Sequence, residues 1–292
     1  MNRREFICAG LGAAVVSGCA TTGGACRRNE AKAPKFHIGM AGFTYKKQSA
    51  DEMLKAMEKL EIHYLCVKDF HLPWKSTDGE IRAFVAKCAD HGVTPYGLGP
   101  VPSKTIEQIR RAFDFAKRLG VNVVVGSPYK VGKSAEGKDL LRNRELCEQI
   151  SPLCDEYDIR FAIHNHGPDQ PLCYPTGDVV CEFVRNLSPR MGMCLDIGHN
   201  YRSGKDPAAC IRRYHGRLFD FHLKDIRPRE NDPKADAMIL GRGVLDLPSI
   251  IRALCDVGYE GCCSIEHETN YDDNFGDLAE SVGYFKALMR LA

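Results

Sequence analysis

The chain is short of net charge, of paired cysteine motifs and of phosphate-binding glycine loops, and beyond its N-terminus it has no apolar run long enough to cross a bilayer. Each shortfall removes a class of function. With 40 basic and 38 acidic residues interspersed, the net charge of +2 gives no electrostatic footprint for nucleic acid or another polyanion. No dinucleotide or P-loop signature is present, because the GLGP at 97–100 is too short for either and reads as a turn. A helical membrane domain is excluded by the lack of further apolar spans. What remains is a chain of 292 residues, 44% hydrophobic and 27% charged, which is the composition of a soluble globular protein of one large or two ordinary domains.

The 14 cysteines include no CxxC pair. Cys66, Cys194, Cys262 and Cys263 lie in strand-like apolar runs, and Cys88, Cys147, Cys181, Cys210 and Cys255 in helical patterns. Buried thiols are expected rather than a disulfide framework. The N-terminus reads as a targeting segment. Arg3-Arg4 followed by a weakly apolar stretch resembles a twin-arginine export signal, a route that carries folded proteins, and Val16-Ser17-Gly18-Cys19 resembles a bacterial lipobox. The expectation is a signal peptide over 1–18, lipidation at Cys19, a tether over 19–35, and a periplasmic or cell-envelope location with the lipid anchor as the one membrane contact.

From residue 36 the chain alternates short β-rich runs with amphipathic helical patterns. The runs are 36–43, 62–70, 93–99, 121–127, 159–165, 191–197, 218–224 and 261–267. Between them lie sets such as Ile106, Ile109, Ala112, Phe113, Ala116 and Leu119, spaced as on one helical face. Ser49 with Glu52 and Thr77 with Glu80 have capping-box spacing, and Gly92, Gly120 and Gly258 stand where left-handed caps suit glycine. Eight strand–helix units imply an α/β fold, a (β/α)8 TIM barrel forming a single domain over 36–292. An open doubly wound sheet would not bring the last four runs to one point.

That convergence matters because each of those runs ends in metal-binding chemistry: His164 and His166, Asp196 and His199, His222, then Glu266 and Glu268. Ionisable groups at the ends of buried strands are costly unless paired or bound. His164, Asp196, His222 and Glu266 offer two nitrogens and two carboxylates, whose charges sum to minus two. The set suits one divalent ion, Mn2+ first, with Co2+, Zn2+, Fe2+ or Mg2+ as alternatives. Lys68 and His71 stand at the end of the second run, Lys224 ends the seventh and Arg227 follows it. These four and Glu268 are expected to contact substrate oxygens, with Glu268 also placed to pair with Lys224. Asp225 is expected to orient His222 or Lys224, and His63 and His91 read as ordinary histidines.

The motifs D196-I-G-H199, H222-L-K224-D225, G241-R-G-V-L-D246 and S264-I-E266-H-E268 resemble the xylose-isomerase-like TIM barrels, which include inosose dehydratase and the ketose 3-epimerases. The resemblance covers residues 36–292. It implies a TIM barrel, Asp196, His222 and Glu266 as metal ligands, and His199 as a contact to a substrate hydroxyl. Family members usually carry Glu at the end of the fifth strand, where this chain has His164. In the epimerases that Glu and the eighth-strand Glu shuttle a proton across the sugar carbon, so here imidazole replaces one of the two carboxylates. The implied function is a metal-dependent isomerase, epimerase or lyase acting on a small sugar, polyol or keto-sugar, with Glu266 and either His166 or His199 carrying the proton. Two other readings stand beside it: a carbohydrate-binding surface lipoprotein without catalysis, and an endonuclease IV-like phosphodiesterase, which the near-zero net charge disfavours.

Overall fold

A computed structural model describes residues 34–128, 138–168, 174–229 and 232–292. The proposed signal peptide, the Cys19 lipidation site and nearly all of the tether lie outside them. Eight parallel strands close into a barrel: β1 (His37–Ala41), β2 (Tyr64–Val67), β3 (Thr94–Val101), β4 (Val123–Gly126), β5 (Arg160–His164), β6 (Met191–Asp196), β7 (Leu218–Leu223) and, after an inserted hairpin, β10 (Cys262–Ile265). Neighbours in sequence are neighbours in space, and β10 pairs with both β7 and β1, so the sheet has no free edge. All eight strands fall within the runs read from the sequence or extend them by two residues.

The helices start and stop for local reasons. Helix α1 (Ala50–Leu60) and α2 (Asp78–Asp90) open on the expected capping boxes, Ser49 with Glu52 and Thr77 with Glu80. Helix α3 (Ile106–Leu119) buries Ile109, Ala112, Phe113, Ala116 and Leu119 and ends at Gly120 with φ +82°. Gly92 and Gly258 also take positive φ, +66° each. Helices α4 (Lys138–Glu156), α5 (Gly177–Val184), α6 (Ile197–Arg202), α7 (Pro207–Tyr214), α8 (Leu247–Asp256) and α9 (Phe275–Leu291) complete the outer layer. Most of the apolar core lies in one large buried cluster. A second cluster, Cys66, Val123, Val125, Ala162 and Cys194 with Tyr96 and Phe219, gathers residues from six barrel strands.

Two departures from the sequence reading bear on the site. Residues 97–100 are not a turn: β3 runs through them to Val101, because Gly99 at φ +141° follows a path on which any Cβ would collide with the Val125 carbonyl. Pro100 and Val101 are thereby carried to the barrel mouth. The segment after β7 forms an antiparallel hairpin, β8 (Asp225–Arg229) with β9 (Asp232–Met238), which periodicity alone did not indicate.

Candidate metal centre at the barrel mouth

Parallel register lines up the strand ends. His164 pairs with Cys194 across β5 and β6, Asp196 with His222 across β6 and β7, and Ser264 with His222 across β10 and β7. The β6–β7 register slips between Met193 and Cys194, leaving Phe219 as an extra residue on β7. Beyond that bulge, Asp220, His222 and Lys224 share the side of the strand that meets Ser264, Asp196 and Glu266. One donor atom from each of His164, Asp196, His222 and Glu266 lies within 4.8 Å of all the others, and all four residues are buried. The four predicted ligands therefore do meet. His164 Nε2 has no hydrogen-bond partner and lies 3.6 Å from Asp196 Oδ2.

The cluster is held by charge. Lys224, almost wholly buried, places its Nζ 2.9 Å from Asp196 Oδ2, 2.8 Å from Glu266 Oε2 and 3.0 Å from Glu268 Oε2. His222 Nδ1 lies 3.0 Å from the same Glu266 oxygen. Burial opposes ionisation of Asp196 and Glu266, but the Lys224 ammonium outweighs it, joined by His164 at Asp196 and by His222 and His164 at Glu266. Both carboxyls are held well below their usual range. Burial likewise opposes the charge on His222 and Lys224. The surrounding carboxylates prevail, raising the imidazole to about 9 and the ammonium well above its ordinary value.

Asp196 carries two duties. Its Oδ1 accepts the His199 amide at 2.8 Å and caps α6, while Oδ2 faces the cluster. Asn165, which sequence reading passed over inside IHNH, is fully buried. It donates to the Asp196 carbonyl at 3.0 Å and accepts the Asp196 amide at 2.8 Å, clamping the ends of β5 and β6 together. His199 Nδ1 donates to the Gly167 carbonyl at 2.8 Å, leaving Nε2 as the acceptor of the neutral ring. Burial pushes His199 well below its ordinary value and keeps it neutral. The His166 ring lies over it at 3.9 Å between centroids.

A cavity of about 280 Å3 opens above the cluster. His164, His166, His199, Lys224, Glu266 and Glu268 form its polar side; Phe43, Pro100, Val101 and Pro102 form an apolar side, with Ser103, Lys104 and Ser127 between them. The other expected contacts lie outside this lining. Lys68 Nζ donates to the Pro100 carbonyl at 2.7 Å and pairs with Asp69, thereby supporting the cavity wall. His71 sits with Nε2 3.0 Å from the Tyr45 carbonyl, and Arg227 is exposed on β8. Asp225 does not orient His222 or Lys224. Its carboxylate instead accepts the amides of Ile226, Gly241, Gly243 and Leu245, which makes it the anchor of the GRGVL loop. His63 bonds the Gly92 carbonyl and His91 pairs with Glu58, both away from the cavity.

The family model for xylose isomerase-like TIM barrels matches residues 34–288. This chain belongs to that family. Among curated proteins it is 30% identical over 137 residues to the rhizopine catabolism protein MocC of Rhizobium meliloti, covering 42% of this chain and 40% of that one. It is 24% identical over 194 residues to inosose dehydratase of Klebsiella pneumoniae, covering 56% of this chain and 64% of the relative. The matched stretches thus fall short of two thirds of either relative. A crystal structure of D-psicose 3-epimerase superposes with a TM-score of 0.70 at 16% identity, over 88% of this chain and 99% of that one, a likeness of fold.

Proposed function

We propose that the chain is a divalent-metal-dependent isomerase, epimerase or lyase that acts on a sugar, polyol or keto-sugar by abstracting a proton next to a polarised oxygen. The observation that carries this is the convergence of His164, Asp196, His222 and Glu266 at one buried point beneath an open cavity. Two nitrogens, two ionised carboxylates and an unpartnered His164 Nε2 fit a mid-sized divalent ion, and manganese is the first choice. Such an ion, when bound, supplies Lewis acidity toward a substrate carbonyl or hydroxyl oxygen. Lys224 and Glu268 then face the substrate's remaining oxygens. The apolar side of the cavity, with Phe43, suits the C–H face of a ring. Glu266, held ionised, is the carboxylate placed to take a proton. His199, neutral with Nε2 free to accept, or His166 beside it is placed to carry the second. Relatives named for dehydration of inososes and 3-epimerisation of a ketose support this class of substrate.

The test begins with metal content after incubation with Mn2+, Co2+, Zn2+, Fe2+ or Mg2+, followed by NMR of inososes and keto-sugars in D2O. About one equivalent of metal, with deuterium uptake or an elimination product, supports the proposal. Metal uptake without exchange on any such substrate removes the catalytic claim, and a chain that takes up no metal leaves the carbohydrate-binding reading in its place. The twin-arginine and lipobox patterns support a second part of the proposal, export with a lipidated Cys19. Mass spectrometry of the N-terminal peptide from the cell envelope tests it; a soluble chain retaining Met1 would reject it.

A further inference from the structure

Below His222, inside the barrel, lies a polar group that the proposed chemistry does not use. Asp220 is fully buried, and its Oδ1 accepts the Tyr96 hydroxyl at 2.8 Å. Tyr96 is itself 2.6 Å from Ser264 Oγ. The carboxylate is thus held from β3, through a hydroxyl that also meets Ser264 on β10. Its second oxygen, Oδ2, has no hydrogen-bond partner and lies 3.8 Å from His222 Nε2, which also has none. The other ring nitrogen, Nδ1, faces Glu266 at 3.0 Å.

We propose that Asp220 is a positioning residue that dictates which nitrogen of His222 is offered to a divalent cation. This rests on the reading of His222 as a ligand. Each ring nitrogen faces a carboxylate, which can only accept, so without an ion both draw a proton. A divalent ion seated beside Glu266 would replace the proton on Nδ1, whereas nothing in the cluster replaces the proton on Nε2 facing Asp220. With Nε2–H committed to Asp220, the lone pair can appear only on Nδ1, on the side of Glu266, Asp196 and His164. At 3.8 Å the Nε2–Asp220 pair falls short of a hydrogen bond, and a small tilt of the ring closes it. Both atoms are buried and partnerless, so burial itself favours that closure. Carboxylates that hold a ligating histidine from behind raise its basicity and fix its orientation, and their loss weakens metal binding about 10- to 100-fold.

The test uses Zn2+ alone as a diamagnetic probe on the full chain labelled with 15N-histidine. The expected result is a His222 Nε2–H signal retained in the zinc-loaded protein, with Nδ1 carrying the coordination shift. Asp220→Leu is expected to weaken zinc binding about 10- to 100-fold. Asp220→Asn, whose amide oxygen can still accept, is expected to recover part of that loss, a rescue that a purely structural role would not show. Zinc bound through Nε2, or affinities of both folded variants within about threefold of wild type, would overturn the positioning role and leave the metal centre standing. If neither variant folds, the wild-type nitrogen assignment decides alone. A wild-type chain that binds no zinc overturns the metal reading and this inference together.

Discussion

Lys224 is the residue that makes a buried acidic cluster tolerable. Its ammonium touches Asp196, Glu266 and Glu268, and two of those carboxylates are nearly or fully buried. Removing one partner of a buried ion pair leaves an uncompensated charge and costs about 3–5 kcal/mol. Lys224→Met is therefore expected to lower stability by about that much in chelator, with much of the loss recovered when Mn2+ neutralises the same oxygens; urea titrations with and without the ion measure both. A variant as stable as wild type in chelator would reject the compensating role. The pH dependence follows from the same residues. His222 is raised from 6.5 to about 9, so the stability it contributes is complete below pH 6.5 and is lost as pH climbs toward 9. Asp196 and Glu266 are lowered, so their contribution is present above the ordinary carboxylate values of 3.8 and 4.5 and is lost on further acidification. His199, lowered by burial, acts in the opposite sense and costs stability as pH falls below 6.5. In chelator, the urea midpoint is therefore expected to peak near pH 6.5. A midpoint still rising at pH 9 would contradict these shifts. At this scale the four candidate ligands were legible because each stands where a buried run stops. Asp220 and Asn165 were not, because an acid in mid-strand or an Asn between two histidines has no distinguishing pattern until its partners are in place.

Among the elements, the loop after the inserted hairpin shows how one carboxylate can organise backbone. Asp225 accepts four amides, from Ile226, Gly241, Gly243 and Leu245, and any Cβ at Gly243 would collide with it. Asp225→Ala strands several donors, two of them in buried residues. The expected cost is about 1–3 kcal/mol for each donor left dry, less where water enters. Hydrogen exchange checks it: the amides of 241, 243 and 245 should exchange much faster in the variant, while the barrel strands keep most of their protection. Unchanged protection of those amides would show that the loop is held by something else. The sequence marked G241-R-G-V-L-D246 as a motif but misassigned its anchor to His222 or Lys224, because adjacency along the chain suggested a neighbour while the real partners lie up to 20 residues on. The caps of α1, α2 and α3 were readable, since Ser49–Glu52, Thr77–Glu80 and Gly120 act within a few residues of themselves. The β7 bulge was not, because an extra residue is defined only against the strand beside it.

For the whole molecule, barrel closure is the event that creates the site, and the same closure buries the thiols. All ten cysteines among the described residues are free and buried, and burial raises every one of these thiols, Cys88 to about 12. Thiolate is the reactive form. The ten are therefore expected to resist iodoacetamide in the native state and react on unfolding, read out by peptide mass spectrometry. Rapid native labelling of Cys66, Cys194 or Cys263 would mean that the barrel opens readily. What the sequence determined by itself was whatever local chemistry dictates: strand and helix periods, caps, eight repeating units, and metal-binding residue types at the ends of four strands. The tertiary structure decided what depends on distance across the barrel: that Lys224 joins three carboxylates, that β3 carries Pro100 to the cavity while His71 and Arg227 stay outside it, and that Asp220 lies behind His222. Local hydrogen bonds and apolar periodicity are written within a few residues, whereas the facing of side chains is fixed only when parallel register and one bulge bring strands far apart in sequence into contact.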